Sequence, residues 1–282
     1  GVATDSENNV FIGGYTTGWD YWIVKYDSQG NYLWNRTVGS TETDYGQALA
    51  TDSEDNVIIT GGTYSVLIPS GTAFLTVKFN SSGDQVWNKT FSGPGNELAF
   101  GMAVDSSDNV IVTGRTTAFS VTHNDVWTIK YDSSGSILWN RSFITGGQDF
   151  SYDVATNSSN NIFIAAYSDL RSSLDYDGLI LSYDEDGTIL WNRSFDAGQK
   201  EYFYGIDVDS DNDIIAVGKQ IISSEDERVL IVKFDSSGNQ VWNLTTDFGA
   251  VDSASGVVID KNNNILISGS TNASGSRDFL IV

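Results

Sequence analysis

Hydrolytic chemistry in this chain would have to rest on carboxylates. Cysteine is absent and histidine occurs once, at His123. That excludes a disulfide framework, a thiol nucleophile, a zinc site built on several histidines and a histidine-to-histidine proton relay. Acids are plentiful. Asp44, Asp149, Asp175, Asp177, Glu201 and Asp252 fall in irregular stretches between apolar runs, where two of them could act as the acid and base of glycoside hydrolysis. With 37 Asp and Glu and a formal charge of −22, however, carboxylates stand near any point of the surface, so loop solvation is the preferred reading of these six.

Asp209, Asp211 and Asp213 match the D-x-D-x-D start of a calcium loop. Ile214 stands where such a loop needs glycine, and residues 217–219 offer no bidentate glutamate. A hairpin turn stabilised by Asx side chains is therefore preferred. No cofactor is expected, and calcium at this turn is the one metal candidate. The strong negative charge repels phosphate backbones, so nucleic acid is not an expected partner. No apolar run approaches the ~20 residues needed to cross a bilayer, so no direct membrane insertion is expected within this stretch.

The elements that must position these residues come from a repeat. Trp34, Trp87, Trp139, Trp191 and Trp242 are spaced 51 to 53 residues apart. Each closes a turn-plus-strand unit: DSQGNYLW, NSSGDQVW, DSSGSILW, DEDGTILW and DSSGNQVW. A second unit recurs six times, as in TDSEDNVIITGG and VDSDNDIIAVG, and reads as strand, tight polar turn, apolar strand. Each period thus holds four short strands, a to d; in the second repeat these are residues 46–51, 56–61, 74–79 and 85–91. Strand c is apolar on both parities: Trp22, Val24 and Tyr26 on one side, Tyr21 and Ile23 on the other. A sheet covered on both faces needs that pattern. Four strands in about 50 residues, repeated, define an all-β propeller of four-stranded antiparallel blades. The blades are expected to start near residues 1, 46, 99, 151, 203 and 254 of a single domain spanning 1–282.

The D-x-x-G-x-x-x-W unit resembles the tryptophan-docking motif of quinoprotein-type propellers. The longer unit, Asp125-VWTIKYDSSGSILW with a Gly-rich loop and DSSDNVIVTG, resembles the propeller repeat of bacterial and archaeal surface proteins often called SBBP. The resemblance implies a propeller and an extracellular setting, and it carries no shared catalytic residues. The repeat supplies six a, b and c strands but five d strands, the last blade ending within strand c at residues 279–282. The expectation is a longer chain. The missing strand would come from the chain's own continuation, from an N-terminal extension or, less favoured, from a neighbouring subunit in a polymer.

Several repeated residues have structural roles as their first reading. The five tryptophans are expected to wedge between blades with the indole N–H bonded to a carbonyl. Lys25, Lys78, Lys130 and Lys233 recur on strand c, with Ser182 in the fourth blade, and inter-blade ion pairs are expected. Asn35, Asn88, Asn140, Asn192 and Asn243 each follow a docking tryptophan and begin an N-x-[ST] sequon; Asn80, Asn157 and Asn272 add three more. On an outermost strand these are candidate N-glycosylation sites and the best address label in the sequence. The alternative is side-chain bonding along the blade edge.

The a–b and c–d turns are short and uniform, whereas the b–c and d–a loops differ from blade to blade and should form a recognition face. That face carries Trp19, Tyr64, Phe119, His123, Arg171, Tyr176 and Arg228 from b–c loops. Tyr45, Phe150, Tyr202 and Phe203 come from the d–a side. Aromatic rings among Asp, Asn and Arg suit glycans or protein surfaces. The leading expectation is a non-enzymatic, extracellular propeller module of a larger microbial surface protein, archaeal by its resemblance. It would act in assembly, filament formation or adhesion, with other surface-protein subunits or extracellular glycans as partners. The alternatives are a carbohydrate-binding, lectin-like propeller and a glycan-cleaving or quinoprotein enzyme.

Overall fold

Two polar turns set the course of the chain. In the a–b turn of the first blade, Asp5 Oδ1 accepts the backbone N–H groups of Glu7 and Asn9, and Asn8 takes a left-handed conformation at φ 61°. Asn or Asp fills that left-handed place in all six blades, since their short polar side chains tolerate it. In the c–d turn, Asp27 does the same for Gln29 and Asn31, and Gly30 adopts φ 83°. Each turn reverses the chain within five residues, so consecutive strands pair antiparallel.

The computed structural model describes residues 1–39, 42–64, 71–119, 123–169, 175–249, 251–272 and 278–281. It contains strands β1 (Val2–Thr4), β2 (Val10–Tyr15), β3 (Tyr21–Tyr26), β4 (Tyr32–Val38), β5 (Asp44–Thr51), β6 (Val57–Tyr64), β7 (Thr72–Phe79), β8 (Gln85–Phe91), β9 (Leu98–Val104), β10 (Val110–Thr116), β11 (Asp125–Tyr131) and β12 (Ile137–Phe143). The chain continues through β13 (Asp149–Thr156), β14 (Ile162–Ser168), β15 (Asp177–Tyr183), β16 (Ile189–Phe195), β17 (Lys200–Val208), β18 (Ile214–Ser223), β19 (Asp226–Phe234), β20 (Gln240–Thr246), β21 (Ser253–Ile259), β22 (Ile265–Thr271) and β23 (Asp278–Ile281). The protein is an all-β, six-bladed propeller. Five blades are four-stranded meanders and the last, β21-β22-β23, has three strands. The described residues contain no helix long and apolar enough to cross a membrane.

The chain divides into two compact units, residues 1–143 with blades one to three and residues 144–282 with blades four to six. In the first unit the core runs between blades through Phe11, Ile23, Leu49, Ile59, Phe74, Val77, Trp87, Met102 and Ile129. In the second, Phe163, Ile180, Phe203, Ile206, Ala216 and Leu230 form one cluster, and Val217, Ile231, Val257 and Ile267 another. Strands β11 and β15 are buried at every position, as a strand covered on both faces must be.

Within each unit, docking tryptophans tie a blade to the next. The indole N–H groups of Trp34, Trp87 and Trp191 donate to the carbonyls of Ser81, Ser133 and Ser236 at 3.1, 3.0 and 3.2 Å. Beneath these three rings lie the turn glycines of the following blades, Gly83, Gly135 and Gly238. A Cβ on Gly135 would stand 3.0 Å from the Trp87 ring, on a backbone already at φ 79°. Arg36 and Arg193 stack on their tryptophans and donate to the same turns through the carbonyls of Gly83 and Gly238. Trp242 is the most exposed of the five, and the described residues of the last blade contain no c–d turn to receive it.

The strand-c lysines differ from expectation in one respect: their ion pairs lie within blades. Lys25, Lys78 and Lys130 meet Asp5, Asp52 and Asp105, the a–b turn acids of their own blades, at 2.9, 2.6 and 2.8 Å. The link across blades is a hydrogen bond instead, from Lys25 and Lys78 to the carbonyls of Ser81 and Ser133. The reason is reach. The a–b turn curls over its own strand c, so the nearest carboxylate belongs to the same sheet. Blade-to-blade contact between a–b turns is made by Ser6 on Asp55 and Ser53 on Asp108, each through backbone N–H and hydroxyl.

Candidate functional site

Within each unit the b–c and d–a loops come together. The backbone N–H groups of Asp44, Glu201 and Asp252 donate to the carbonyls of Trp19, Tyr176 and Glu227 in the preceding b–c segments. At the start of the first strand of blades two to six stands an acid with no exposed surface: Asp44, Glu97, Asp149, Glu201 and Asp252. Glu97 accepts the N–H groups of Gly93 and Gly95 and the hydroxyl of Thr116. Asp149 accepts the N–H and hydroxyl of Thr145, and makes a short bond with the Ser168 hydroxyl. Asp252 accepts the N–H groups of Phe248 and Gly249. The d–a loop is wound around a carboxylate, which supplies acceptors for backbone donors that the turn leaves without strand partners. Four of the six acids considered for hydrolysis therefore occupy one repeated position in four blades.

Glu201 is held differently. Its Oε1 accepts Nε2 of Gln220 at 2.9 Å, while the buried Oε2 has no hydrogen-bond partner. Two further carboxylates stand with it: buried Asp177, at the start of β15, and exposed Asp196, in the loop before β17. One oxygen from each of the three lies within 4.8 Å of the others. Burial pushes the Glu201 carboxyl up to about 7; Gln220 and the Ala197 backbone oppose this, and the charges of Asp196 and Asp177 add to it.

A group of tyrosines includes Tyr176 and Tyr202, the chain neighbours of Asp177 and Glu201. Tyr176 and Tyr202 lie 5.5 Å apart, Tyr202 meets Tyr167 edge-on at 4.7 Å, and Tyr167 stacks on Tyr152 at 5.6 Å. Lys219 sits over the Tyr202 ring and Lys200 over that of Tyr176. Beside them opens a cavity of about 440 Å³ lined by Asp175, Gln199, Lys200, Tyr202, Ile221 and Ser224. Burial raises the Tyr202 hydroxyl to about 12, with the charges of its neighbours adding to the effect. A flat, partly desolvated aromatic surface next to fixed charges can stack against a sugar or receive a protein side chain.

The first unit has two further concentrations. Trp19 stacks on Tyr15 at 5.3 Å and meets Tyr45 edge-on at 5.3 Å. Its φ of 64° puts a bulky side chain where glycine would be unstrained. His123 joins Thr72, Asn96, Arg115, Thr117 and Asn124 around a cavity of about 450 Å³.

The remaining sequence candidates are dispersed. Tyr64 is exposed, Phe119 stacks on Trp127, and Phe150 packs against Tyr167. Phe203 is buried in the core, and Arg228 is bound through two nitrogens to Asp226. Arg171 lies outside the described residues. The carboxylates of Asp209 and Asp213 both receive the Lys233 ammonium, at 2.8 and 2.9 Å. Asn35, Asn88, Asn140, Asn192 and Asn243 are all exposed on the outermost strands, whereas Asn80, Asn157 and Asn272 are partly covered.

Sequence reasoning passed over Tyr152, Tyr167, Tyr204, Asp196, Lys200 and Gln220. A signal for the tyrosines was present: Phe150 and Tyr152, then Tyr202 and Tyr204, alternate along the first strands of adjacent blades and so share one side of each strand.

Fold and site together describe a propeller with one uniform, turn-linked face and one variable, aromatic-rich face. The chain belongs to the family described as outer membrane protein assembly factor BamB, whose model matches residues 77–278. It is similar to an uncharacterized WD repeat-containing protein of Acanthamoeba polyphaga mimivirus, 26% identical over 79% of this chain and 18% of the relative. The chain thus spans about a fifth of the length of that relative. Among solved structures it is similar to the β-propeller domain of the trilobed protease from Pyrococcus furiosus, with a TM-score of 0.59 and 8% identity. That match covers all of this chain and 78% of the other. It is also similar to the GH93 α-L-arabinofuranosidase of Fusarium graminearum, with a TM-score of 0.59 and 10% identity, over all of this chain and 92% of the enzyme. At such identities the two structures share the fold with this chain.

Proposed function

We propose that this chain is a non-enzymatic propeller module of a cell-surface or exported microbial protein, acting in assembly or adhesion through its b–c and d–a loops. One observation carries the reading: the acids that could have formed a hydrolytic pair recur blade by blade, and Glu97, Asp149 and Asp252 are engaged by the N–H groups of their own loops. A hydrolytic centre needs two carboxylates converging on one substrate bond; repetition puts Asp44, Asp149 and Asp252 in separate blades, and Asp177 and Glu201, which do stand together, are buried side chains. The family description, assembly at an outer membrane, agrees with a role in an envelope. The exposed sequons on the outermost strands favour an exported, glycosylated protein of the SBBP kind, with an archaeal host as the finer form of the proposal.

Glycopeptide mass spectrometry on protein from its native source, combined with surface labelling of intact cells, tests this. Glycan on one or more of Asn35, Asn88, Asn140, Asn192 and Asn243, on a labelled protein, is expected. Five bare asparagines on a protein that no impermeant reagent reaches would overturn the surface assignment. Carbohydrate binding is the second reading, favoured by the tyrosines around the 440 Å³ cavity. It predicts glycan-array binding that Tyr202→Ala abolishes.

A further inference from the structure

We infer that Asp177, Asp196 and Glu201 form a binding site for a calcium ion, independent of what the loop face recognises. Calcium takes oxygen ligands at about 2.3–2.6 Å, so two ligands of one ion lie no more than roughly 5 Å apart. One oxygen from each of the three carboxylates falls within 4.8 Å of the other two, and no other group of three acids or histidines among the described residues meets that condition.

The second observation is the state of Glu201. Its side chain has no exposed surface, one oxygen is satisfied by Gln220, and the other is buried without a hydrogen-bond partner. Leaving a carboxylate oxygen buried and unmatched is costly, and a cation removes that cost. The corresponding acids Glu97 and Asp149 have both oxygens engaged by hydrogen bonds. Asp252 also has a buried oxygen without a partner, but among the described residues no second and third acid complete a group with it.

Access and charge agree with the assignment. Asp196 is exposed and precedes the loop lining the 440 Å³ cavity, so an ion can enter from solvent with water completing its shell. Three carboxylates of one sign repel one another when empty and are neutralised to −1 by a doubly charged ion. Ligands from strand β15 of blade four and from the loop and strand opening blade five would make the ion a clamp between two neighbouring blades.

The test is isothermal titration and thermal unfolding of the chelator-treated protein with calcium chloride, using sodium chloride of matched ionic strength as the control. Saturable binding of one ion and a raised melting temperature are expected. Asp196→Asn, at an exposed position, should weaken the affinity by about tenfold or more, because affinity follows ligand charge. Asp209→Asn, at the turn already engaged by Lys233, should leave it unchanged. Glu201→Gln should abolish both responses while circular dichroism stays that of the parent. Absence of saturable binding, or binding untouched by Asp196→Asn, would overturn the site; loss through Asp209→Asn alone would move it to the other turn.

Discussion

Replacing Lys78 by methionine isolates what the buried ion pairs do. Lys78 and Asp52 are 2.6 Å apart, and their side chains are almost fully buried. Asp52 also receives the N–H groups of Glu54 and Asn56 and the side chain of Asn56. Burial alone would raise its carboxyl, yet Lys78 and Asn56 hold it below the ordinary range. Methionine keeps the length of the lysine stem but strands the carboxylate, a change that costs about 3–5 kcal/mol at a buried pair. Blade four shows the alternative: Asn157 replaces the turn acid and Ser182 the lysine, while Asn157 still accepts the N–H groups of Ser159 and Asn161. Adding Asp52→Asn to Lys78→Met should therefore bring the loss to about 2 kcal/mol or less. What remains is chiefly the bond from Lys78 to the Ser133 carbonyl. Urea unfolding followed by tryptophan fluorescence measures both variants against the parent. A single substitution costing under about 1 kcal/mol, or a double variant no more stable than the single, would refute the account.

Other outcomes follow from the turns and the buried acids. Gly135→Ala should cost about 2–4 kcal/mol, combining a left-handed backbone with displacement of the Trp87 ring. Gly30→Ala, at φ 83° with nothing within 4 Å, should cost only about 1–2 kcal/mol; equal costs would remove the docking contribution. Burial pushes the Asp153 carboxyl up to about 7, against the N–H groups of Ile206 and Val154. The fold therefore takes up a proton between about pH 4 and 7, and this group adds stability as pH falls through that window. Asp5, Asp52 and Asp105, held below the ordinary range by their lysine and asparagine partners, and Asp209, held there by Lys233 and the N–H groups of Asp213 and Asp211, act in the opposite sense. Their contribution is present above about pH 4 and is lost as pH falls through their folded values. Melting temperature should peak on the acid side of neutrality, and Asp153→Asn should flatten its slope between pH 5 and 7; a slope unchanged by that variant would remove Asp153 as its source.

The propeller was legible because the residues that specify it are local and repeated. Each Asx–Gly turn followed by tryptophan encodes a hairpin, and at Gly83, Gly135 and Gly238 the glycine is required twice over, by the backbone angle and by the indole above it. The direction of the lysine ion pairs was not legible. Lys25 is 20 residues from Asp5 and 27 from Asp52, and only the curl of the a–b turn over its own sheet decides between them. The site was harder for the same reason. Asp177, Asp196 and Glu201 are brought together by strand pairing and by the bond from the Glu201 N–H to the Tyr176 carbonyl. No motif spacing announces a cluster assembled by the start of one blade folding against the loops of the last.

The repeat also explains why blade five can depart from the others without loss of fold. A d–a loop needs an acceptor at the first strand, and Glu97 shows the ordinary solution: Gly93 and Gly95 present their N–H groups to the carboxylate. In blade five the sequence at that loop is FDAGQKE, and its acid Asp196 receives the Gly198 N–H itself. Blade six has an acid at the same place, Asp247, yet its Gly249 N–H is shared between Asp247 and Asp252, whereas Glu201 gives one oxygen to Gln220 and leaves the other without a hydrogen-bond partner. The group met at the end of the second strand also changes: a hydroxyl from Thr116 for Glu97 and from Ser168 for Asp149, but the amide of Gln220 for Glu201. Asp196→Asn and Glu201→Gln each remove a charge but keep an oxygen for the hydrogen bond the fold uses, from the Gly198 N–H and from the Gln220 amide, so calcium affinity should fall in both while circular dichroism stays that of the parent.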